Sequence, residues 1–361
     1  MGAFCGSWTE RRTSTHISDE QDPLSPREIK KVDGRKLYEL YESWPARAEE
    51  SLRTKVELKP RKYGRVVFLA VGGSATSGDI ISDWFLSSGG AEVSVFRGYL
   101  PKMRLDDSLV VVCSTSGDTE ETLRMANMVI EKNPDMVAIS AGGKLMEFAE
   151  SRGIEHVKIK MAEMPRFSLP HSLFASIAVL RSASLLEGFE WELDEAMANF
   201  RETGLSIAGG VPTSRNPAKS IASEMADSVP SIYAASVSKS VAARFKNSLN
   251  ENAKMHAYFD YAPDLFHNEV EAWQVQDERQ QPIFLRRHNE PPFESKSLDI
   301  FYNLLAGRGV KTHRADAIGR GNLSQLITLC YTLDVASYYV AILRGVNPYP
   351  IDLIGELKTS R

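Results

Sequence analysis

Short unbroken apolar runs alternate with amphipathic stretches along the first half of the chain. The runs at 65–71, 93–96, 108–113, 136–140 and 155–159 have the length and β-branched content of buried parallel strands. The spacing between them predicts helices over 76–87 and 119–131. A buried helix over 170–186 follows, with Leu173, Phe174, Ile177 and Leu180 in phase. Upstream, Leu37, Leu40, Tyr41 and Trp44 share one face of a helix over 35–54, which Pro45 is placed to kink or split. Around 190–215 the pattern pauses in a connecting helix, WELDEAMANFRETG, and a turn-rich stretch, GGVPTSRNPA. It then restarts, with strands at 231–235, 270–275, 282–286 and 310–314. Helices are predicted over 239–254, 295–307 and 322–343, and PYPIDLIGELK reads as a short final helix. This alternation means an α/β fold built on doubly wound parallel sheets. The pause divides it into domains over 28–205 and 206–361, preceded by a flexible polar arm over 1–27. Two such domains facing each other place a ligand between them.

Bulk properties narrow the partners. The 361 residues suffice for two cores, and 43% hydrophobic with 25% charged residues is ordinary for a globular protein. A net charge of -4 leaves no basic footprint for nucleic acid. No apolar run is expected to approach the roughly 18 residues that span a membrane, and the first residues lack the apolar core of a signal peptide. The start MGAFCGS matches the loose myristoylation pattern; with no other membrane signal it is read as chance. Cys5, Cys113 and Cys330 are scattered, which suits a reducing cytoplasm. The 7 histidines include no HxH or HExxH pair, so no metal is expected.

Candidate chemistry begins where two of the strands end. VVFLAVGGSATSGD, residues 66–79, runs from a buried strand through Gly72 and Gly73 into a helix. Glycines let the backbone approach a ligand, and the helix start presents free N–H groups and a positive dipole end. VVVCSTSGDTEET, residues 110–122, repeats the logic with Ser114, Thr115, Ser116 and Thr119 crowded beside a glycine. Capping by Asp118 or Thr119 with Glu121 explains part of this. Two hydroxyl-rich loops at the carboxyl ends of strands of one sheet also point to an anion site at the topological switch. Neither loop is a GxxxxGK[ST] or GxGxxG motif, so neither a nucleoside triphosphate nor a dinucleotide is indicated. SAGGKL, residues 140–145, is a third glycine turn after a strand.

Further along, Glu251 lies in RFKNSLNENAKMHAYFD among Arg244, Asn247, Asn250, Asn252 and Lys254. It reads either as an exposed helix carboxylate or as a base. His267 follows in DLFHNEVEAW, as a core histidine or as a proton carrier. Arg166 sits between Pro165 and Pro170, either on the surface or as a cation held for an oxyanion. Lys358 reads as a solvated tail residue or a second cation. The second HNE, at 288–290, reads as surface.

VGGSATSGD, CSTSGDTEET, MPRFSLPH, RFKNSLNENAK, DLFHNEVEAW and the tail IGELK together resemble the archaeal-type bifunctional phosphoglucose/phosphomannose isomerases of the sugar isomerase (SIS) superfamily. The likeness runs in order from about 35 to 358. It implies two SIS domains, a homodimer with its site at the domain and subunit interface, and cofactor-free aldose–ketose isomerisation through a cis-enediol. By the resemblance, Gly73, Ser74, Ser114, Ser116 and Thr119 hold the sugar phosphate. Glu251 moves the proton between C1 and C2, and Arg166 stabilises the enediolate. His267, from the other subunit, opens the ring with help from Lys358. Four positions depart from the family pattern: Ala75 stands for a glycine, Thr115 for a tyrosine, Asp118 for an asparagine, and Ile351 where a threonine linked to mannose activity is expected. The alternatives are an isomerase of another phosphosugar and a non-catalytic SIS sensor, which has no need of Glu251, His267 and Arg166.

Overall fold

The computed structural model describes residues 22–58, 61–99 and 104–360. β1 (Arg65–Ala70) is buried at every position after the first, as an all-apolar run between two helical layers must be. It pairs on one side with β2 (Glu92–Phe96) and on the other with β3 (Ser108–Cys113). β4 (Asp135–Ser140) and β5 (Glu155–Lys158) complete an all-parallel sheet of order β2-β1-β3-β4-β5. β6 (Val229–Ala234), β7 (Tyr258–Tyr261), β8 (Gln280–Arg286) and β9 (His313–Asp316) form a second parallel sheet, β7-β6-β8-β9. The predicted fold class therefore holds. In each sheet the strand order reverses at the first strand, so a crevice opens at the carboxyl ends of β1 and β3 and again of β6 and β8.

The inner faces of both sheets close on one core. Phe68 and Val111 from the first and Ile232 and Leu285 from the second belong to the same buried cluster. The helix Asn322–Leu343 runs through it, buried from Leu323 to Ile342. Among the described residues it is the one helix long and apolar enough to cross a membrane by length and composition, with mean hydropathy 1.6. Burial inside the protein of 94% of that stretch accounts for its all-round apolar surface. Counting uninterrupted apolar residues passes over it because Ser324, Thr328, Thr332, Asp334 and Ser337 interrupt the run.

The predicted helix over 35–54 is split next to Pro45, into Leu37–Glu42 and Trp44–Leu52, broken at Ser43 with Pro45 in the first turn of the second. Three other expectations change. Part of the stretch predicted as an arm, residues 22–27, belongs to the described structure. From Asp22 onward the chain is fastened to the second domain: Asp22 accepts from Thr213 N (3.1 Å), and the buried Lys219 Nζ donates to Leu24 O (2.7 Å). Tyr338 OH donates to Asp33 (2.6 Å) and Tyr331 OH to Tyr41 O (2.6 Å), so the first helices clasp the central helix rather than their own sheet alone. Residues 1–21, with Cys5, lie outside the described residues. The strand predicted at 270–275 is a helical turn, Glu269–Ala272, started by Asn268 accepting from Glu269 N, and Trp273 is buried after it. The strand is Tyr258–Tyr261 instead, an edge strand whose half-exposed YFDY lacks an apolar run. Finally, the HNE at 288–290 is not all surface, because Glu290 is buried against Arg286 (3.0 Å).

Candidate active site

Two loops meet at the first switch point. After β1, Gly72 takes φ +58°, a conformation open to glycine, and Gly73 begins the helix Gly73–Ser88. The floor of this turn rests on a cation: a Cβ on Gly73 would lie 3.7 Å from Arg244 Nη1. Ser74 Oγ accepts from Thr115 N and shares a hydrogen bond with Thr115 Oγ1, both 3.1 Å, which stitches the two loops together. In the second loop Ser114 Oγ bonds Thr119 Oγ1 (2.9 Å) and accepts from Gly117 N (3.1 Å). Ser116 Oγ accepts from Asp118 N (3.2 Å). Gly117 allows no side chain, since a Cβ there would meet Gly142 O of the third glycine turn at 1.8 Å. The Asp118 carboxylate turns to that third turn and accepts from Lys144 N (3.1 Å), at the start of the helix Gly143–Glu150. Hydrogen bonds thus join Ser74 to the second loop and Ser114 to Thr119; these two loops, which also hold Gly73 and Ser116, are the candidate phosphate cradle, and the Asp118 carboxylate faces the neighbouring helix.

Arg166 arrives from the same domain. Pro165–Ser168 forms a 3₁₀ turn, anchored by buried Phe167 and Ser168, that feeds the helix Leu169–Ser182. The arginine is 5% exposed, so the surface alternative fails. Its Nε donates to Asn252 Oδ1 (3.0 Å), and Nη2 donates to Pro348 O (2.6 Å) and Tyr349 O (3.3 Å). Nη1 is buried without a hydrogen-bond partner, 3.8 Å from Glu251 Oε2. Burial lowers the pKa of this guanidinium, with Tyr41 and Glu251 opposing.

Glu251 comes from the second domain. The helix Lys239–Ser248 runs on into a single π turn, Leu249–Ala253, which carries the carboxylate out to a 31% exposed position. Such turns widen a helix where a side chain must be re-aimed. Lys254 ends the turn in the left-handed conformation, at φ +52°. The residue is exposed, and its Nζ is drawn against Glu251 O (2.5 Å) and Pro348 O (3.3 Å). Partial desolvation, with Arg166 beside it, lowers the ammonium pKa to about 8.

In the sequence Asn252 and Lys254 are only members of the polar crowd around Glu251, and Asp334 is not singled out. Asn252, wholly buried, aims Arg166 and is itself held by donating to Tyr41 OH and Ser337 Oγ, both 2.8 Å. Asp334 pairs with Arg244 (2.7 Å) in the centre of the protein, and Arg244 Nη2 also donates to Arg166 O (2.8 Å). Burial alone would lower the Arg244 pKa, but Asp334 reverses this and the net shift is upward. A lone acid in an otherwise apolar helix was the available signal for Asp334. Lys254 differs from its neighbours only in ending the turn.

The other two predicted catalytic residues are not joined to this group. His267 stands exposed at the end of the 3₁₀ turn Asp264–His267, and no described hydrogen bond or ion pair links it to Arg166 or Glu251. The Lys358 side chain lies outside the described residues, although its backbone belongs to the helix Asp352–Thr359. Among the described residues there is no group of three or more His, Cys, Asp or Glu side chains that could hold a metal. A cleft of about 670 Å³ opens between the domains beside the cradle, with Gly72, Thr76, Arg97, Lys239, Arg244 and Asn247 on its walls. A carboxylate beside an unpaired guanidinium N–H can take a carbon-bound proton and stabilise the oxyanion that results.

Fold and site together define a two-domain SIS protein. The chain superposes on a glucose-6-phosphate isomerase like protein of Thermus thermophilus with TM-score 0.62 and 18% identity, over 94% of this chain and 99% of the other. Residues 214–360 match the family described as bacterial phospho-glucose isomerase C-terminal SIS domain. The bifunctional phosphoglucose/phosphomannose isomerase of Aquifex aeolicus is 30% identical over 300 residues, which cover 82% of this chain and 90% of that one. The D-glucosamine-6-phosphate 4-epimerase of Sulfolobus acidocaldarius is 27% identical over 243 residues, 67% of this chain and 74% of its own. The chain belongs to the bifunctional phosphoglucose/phosphomannose isomerase family.

Proposed function

We propose that this protein interconverts glucose 6-phosphate, fructose 6-phosphate and mannose 6-phosphate through a cis-enediol, without a cofactor. The observation that carries the reading is the buried Arg166 Nη1, which has no hydrogen-bond partner and faces the Glu251 carboxylate at 3.8 Å, in a chain that also joins two hydroxyl-rich loops at Ser74 and Thr115. The cradle of Gly73, Ser74, Ser114, Ser116 and Thr119 takes the phosphate, whose binding energy holds C1 and C2 against Glu251. His267, donated by a partner subunit, and Lys358 open the ring. Glu251 removes the proton from C2 of the aldose and returns it to C1. Between these steps Arg166 balances the negative charge on the enediolate oxygen, and a proton passes from the C2 hydroxyl to O1. Glucose and mannose 6-phosphates differ only at C2, where the enediol is planar, so one base serves both when rotation about C2–C3 presents either face to it. Ile351 is half-buried and packs on the central core. The enzyme works as a homodimer in the cytoplasm.

A coupled assay on chelator-treated protein tests this with fructose 6-phosphate and mannose 6-phosphate, and with glucosamine 6-phosphate as the control suggested by the epimerase relative. Turnover of the first two establishes the reading. Turnover of fructose 6-phosphate alone restricts it to the glucose pair and implicates Ile351. Turnover of only the amino sugar overturns it.

Two expected results follow from the site. Arg166→Lys loses about 10²-fold in kcat, because the single nitrogen of an ammonium cannot span the separate positions from which Nε meets Asn252, Nη2 meets Pro348 O and Nη1 faces Glu251. Wild-type kcat falls as pH rises through about 8, where Lys254 loses its proton. The charges facing that ammonium are Arg166, Glu251 and Asp352. In Lys254→Arg, whose guanidinium stays charged, the alkaline limb moves to higher pH; an unmoved limb removes Lys254 from the account.

A further inference from the structure

The second domain contains a counterpart of the phosphate cradle, and it is already filled. β6 passes through AASVSKS into the helix Lys239–Ser248, as β1 passes through VGGSATS into the helix Gly73–Ser88. Ser240 N, in the first turn of the second-domain helix, donates 2.8 Å to Asp83 Oδ2, a carboxylate from the first domain. Ser236 N and Oγ donate to Glu294 at 2.7 and 2.8 Å. Asp83 is 0% exposed, and its Oδ1 has no hydrogen-bond partner. Ser238 Oγ and Arg287 Nε, on buried residues of the neighbouring loops, are also unpaired. Lys239 and Arg287 act on the carboxylate as favourable charges. A helix-start amide donating to a buried carboxylate that two nearby cations favour is the arrangement of an oxyanion site.

Asp83 lies on the helix whose first turn forms the cradle, and Ser240 lies on the helix that runs directly into the Glu251 turn. These helices pack against each other across the domain boundary. We propose that Asp83 is a positioning residue: its carboxylate occupies the second domain's anion pocket and fixes the distance from the phosphate cradle to the Glu251 base. A slip of the second helix at Ser240 carries Glu251 with it, and an error of about 1 Å at a reacting group can cost 10²-fold in rate. The cradle itself is held by Ser74, Thr115, Ser114 and Thr119, none of which touches Asp83. Burial pushes the Asp83 pKa up to about 6 despite Ser240, Lys239 and Arg287, so the anion is present at neutral pH.

The kinetic part of the test rests on the proposed isomerase reading; the exchange and phosphate measurements do not. Full-length wild type, Asp83→Ala and Asp83→Asn are compared by hydrogen exchange over residues 239–248, by titration with inorganic phosphate, and by kcat and KM on fructose 6-phosphate. In Asp83→Ala the amides at the start of the second helix exchange faster, while inorganic phosphate affinity and KM stay within about threefold and kcat falls at least about tenfold. Asp83→Asn, which keeps an acceptor for the Ser240 amide, restores exchange protection and most of kcat. Unchanged exchange in Asp83→Ala overturns the proposal, as does equal loss of phosphate affinity and kcat. If Asp83→Ala does not fold, Asp83→Asn with unprotected Ser240 overturns it and with protected Ser240 supports it. Wild type inactive on every sugar phosphate refutes the isomerase reading alone, and exchange with phosphate affinity then decides the role of Asp83.

Discussion

Glu251→Gln lowers kcat on fructose 6-phosphate by about 10³-fold, the range expected when a general base is removed and the rest of the site is kept. Glutamine has nearly the same shape and can still stand 3.8 Å from Arg166 Nη1. The cradle is in the other domain, so KM and inorganic phosphate affinity change little. The turn should also survive, because the contacts that hold it are made by other residues: Asn252 to Tyr41 and Ser337, and Asn250 to Met255 O. Exchange of the C1 and C2 protons with solvent, followed in deuterated water, disappears together with turnover. A variant that keeps kcat within tenfold of wild type, or that keeps the proton exchange, removes Glu251 from the chemistry.

Arg244→Met destabilises the protein by about 3–5 kcal/mol, read as a lower urea midpoint at unchanged slope. The pair is fully enclosed, with Arg244 5% and Asp334 0% exposed. Removing the cation leaves Asp334 with Ser248 as its polar neighbour on the adjacent helix. It also frees the Arg166 carbonyl and takes the floor from beneath Gly73. The double variant Arg244→Met/Asp334→Leu recovers much of the stability, since replacing both ions by apolar groups removes the uncompensated charge. It does not recover activity, because Arg166 has lost the bond that seats its turn. A single variant within about 1 kcal/mol of wild type would show that water or rearrangement reaches Asp334.

The buried Arg244 changes how the polar crowd around Glu251 is understood. Arg244, Lys246, Asn247, Asn250, Glu251, Asn252 and Lys254 look alike in the sequence, as one polar helix end. Folding sorts them by direction. Arg244 turns into the core, Asn252 into the Arg166 contact, and Lys254 back onto the turn carbonyls. Asn247 lines the interdomain cleft. Arg244 and Asn247 are sorted by the regular helix, whereas the π turn aims Glu251 and Asn252, because its extra residue shifts the phase of 249–253 relative to that helix. Hydrophobic periodicity does not register such a shift.

By itself the sequence determined the parallel α/β architecture, because strands buried on both faces must be apolar throughout. It marked the two loops of the cradle, because glycines and hydroxyls must stand where a strand turns into a helix. Both signals are local and need only a few consecutive residues. The strand Tyr258–Tyr261 was hidden because an edge strand with one half-exposed face needs no apolar run. What tertiary structure alone decided is which polar groups face one another. Arg166 is 86 residues from Asn252 in the chain, Asp334 is 90 from Arg244, and Asp83 is 157 from Ser240. Each pairing joins elements that pack across the common core, where an unmatched charge costs several kcal/mol. The residue types can be read along the chain, but their partners are set by which helices the two sheets bring together.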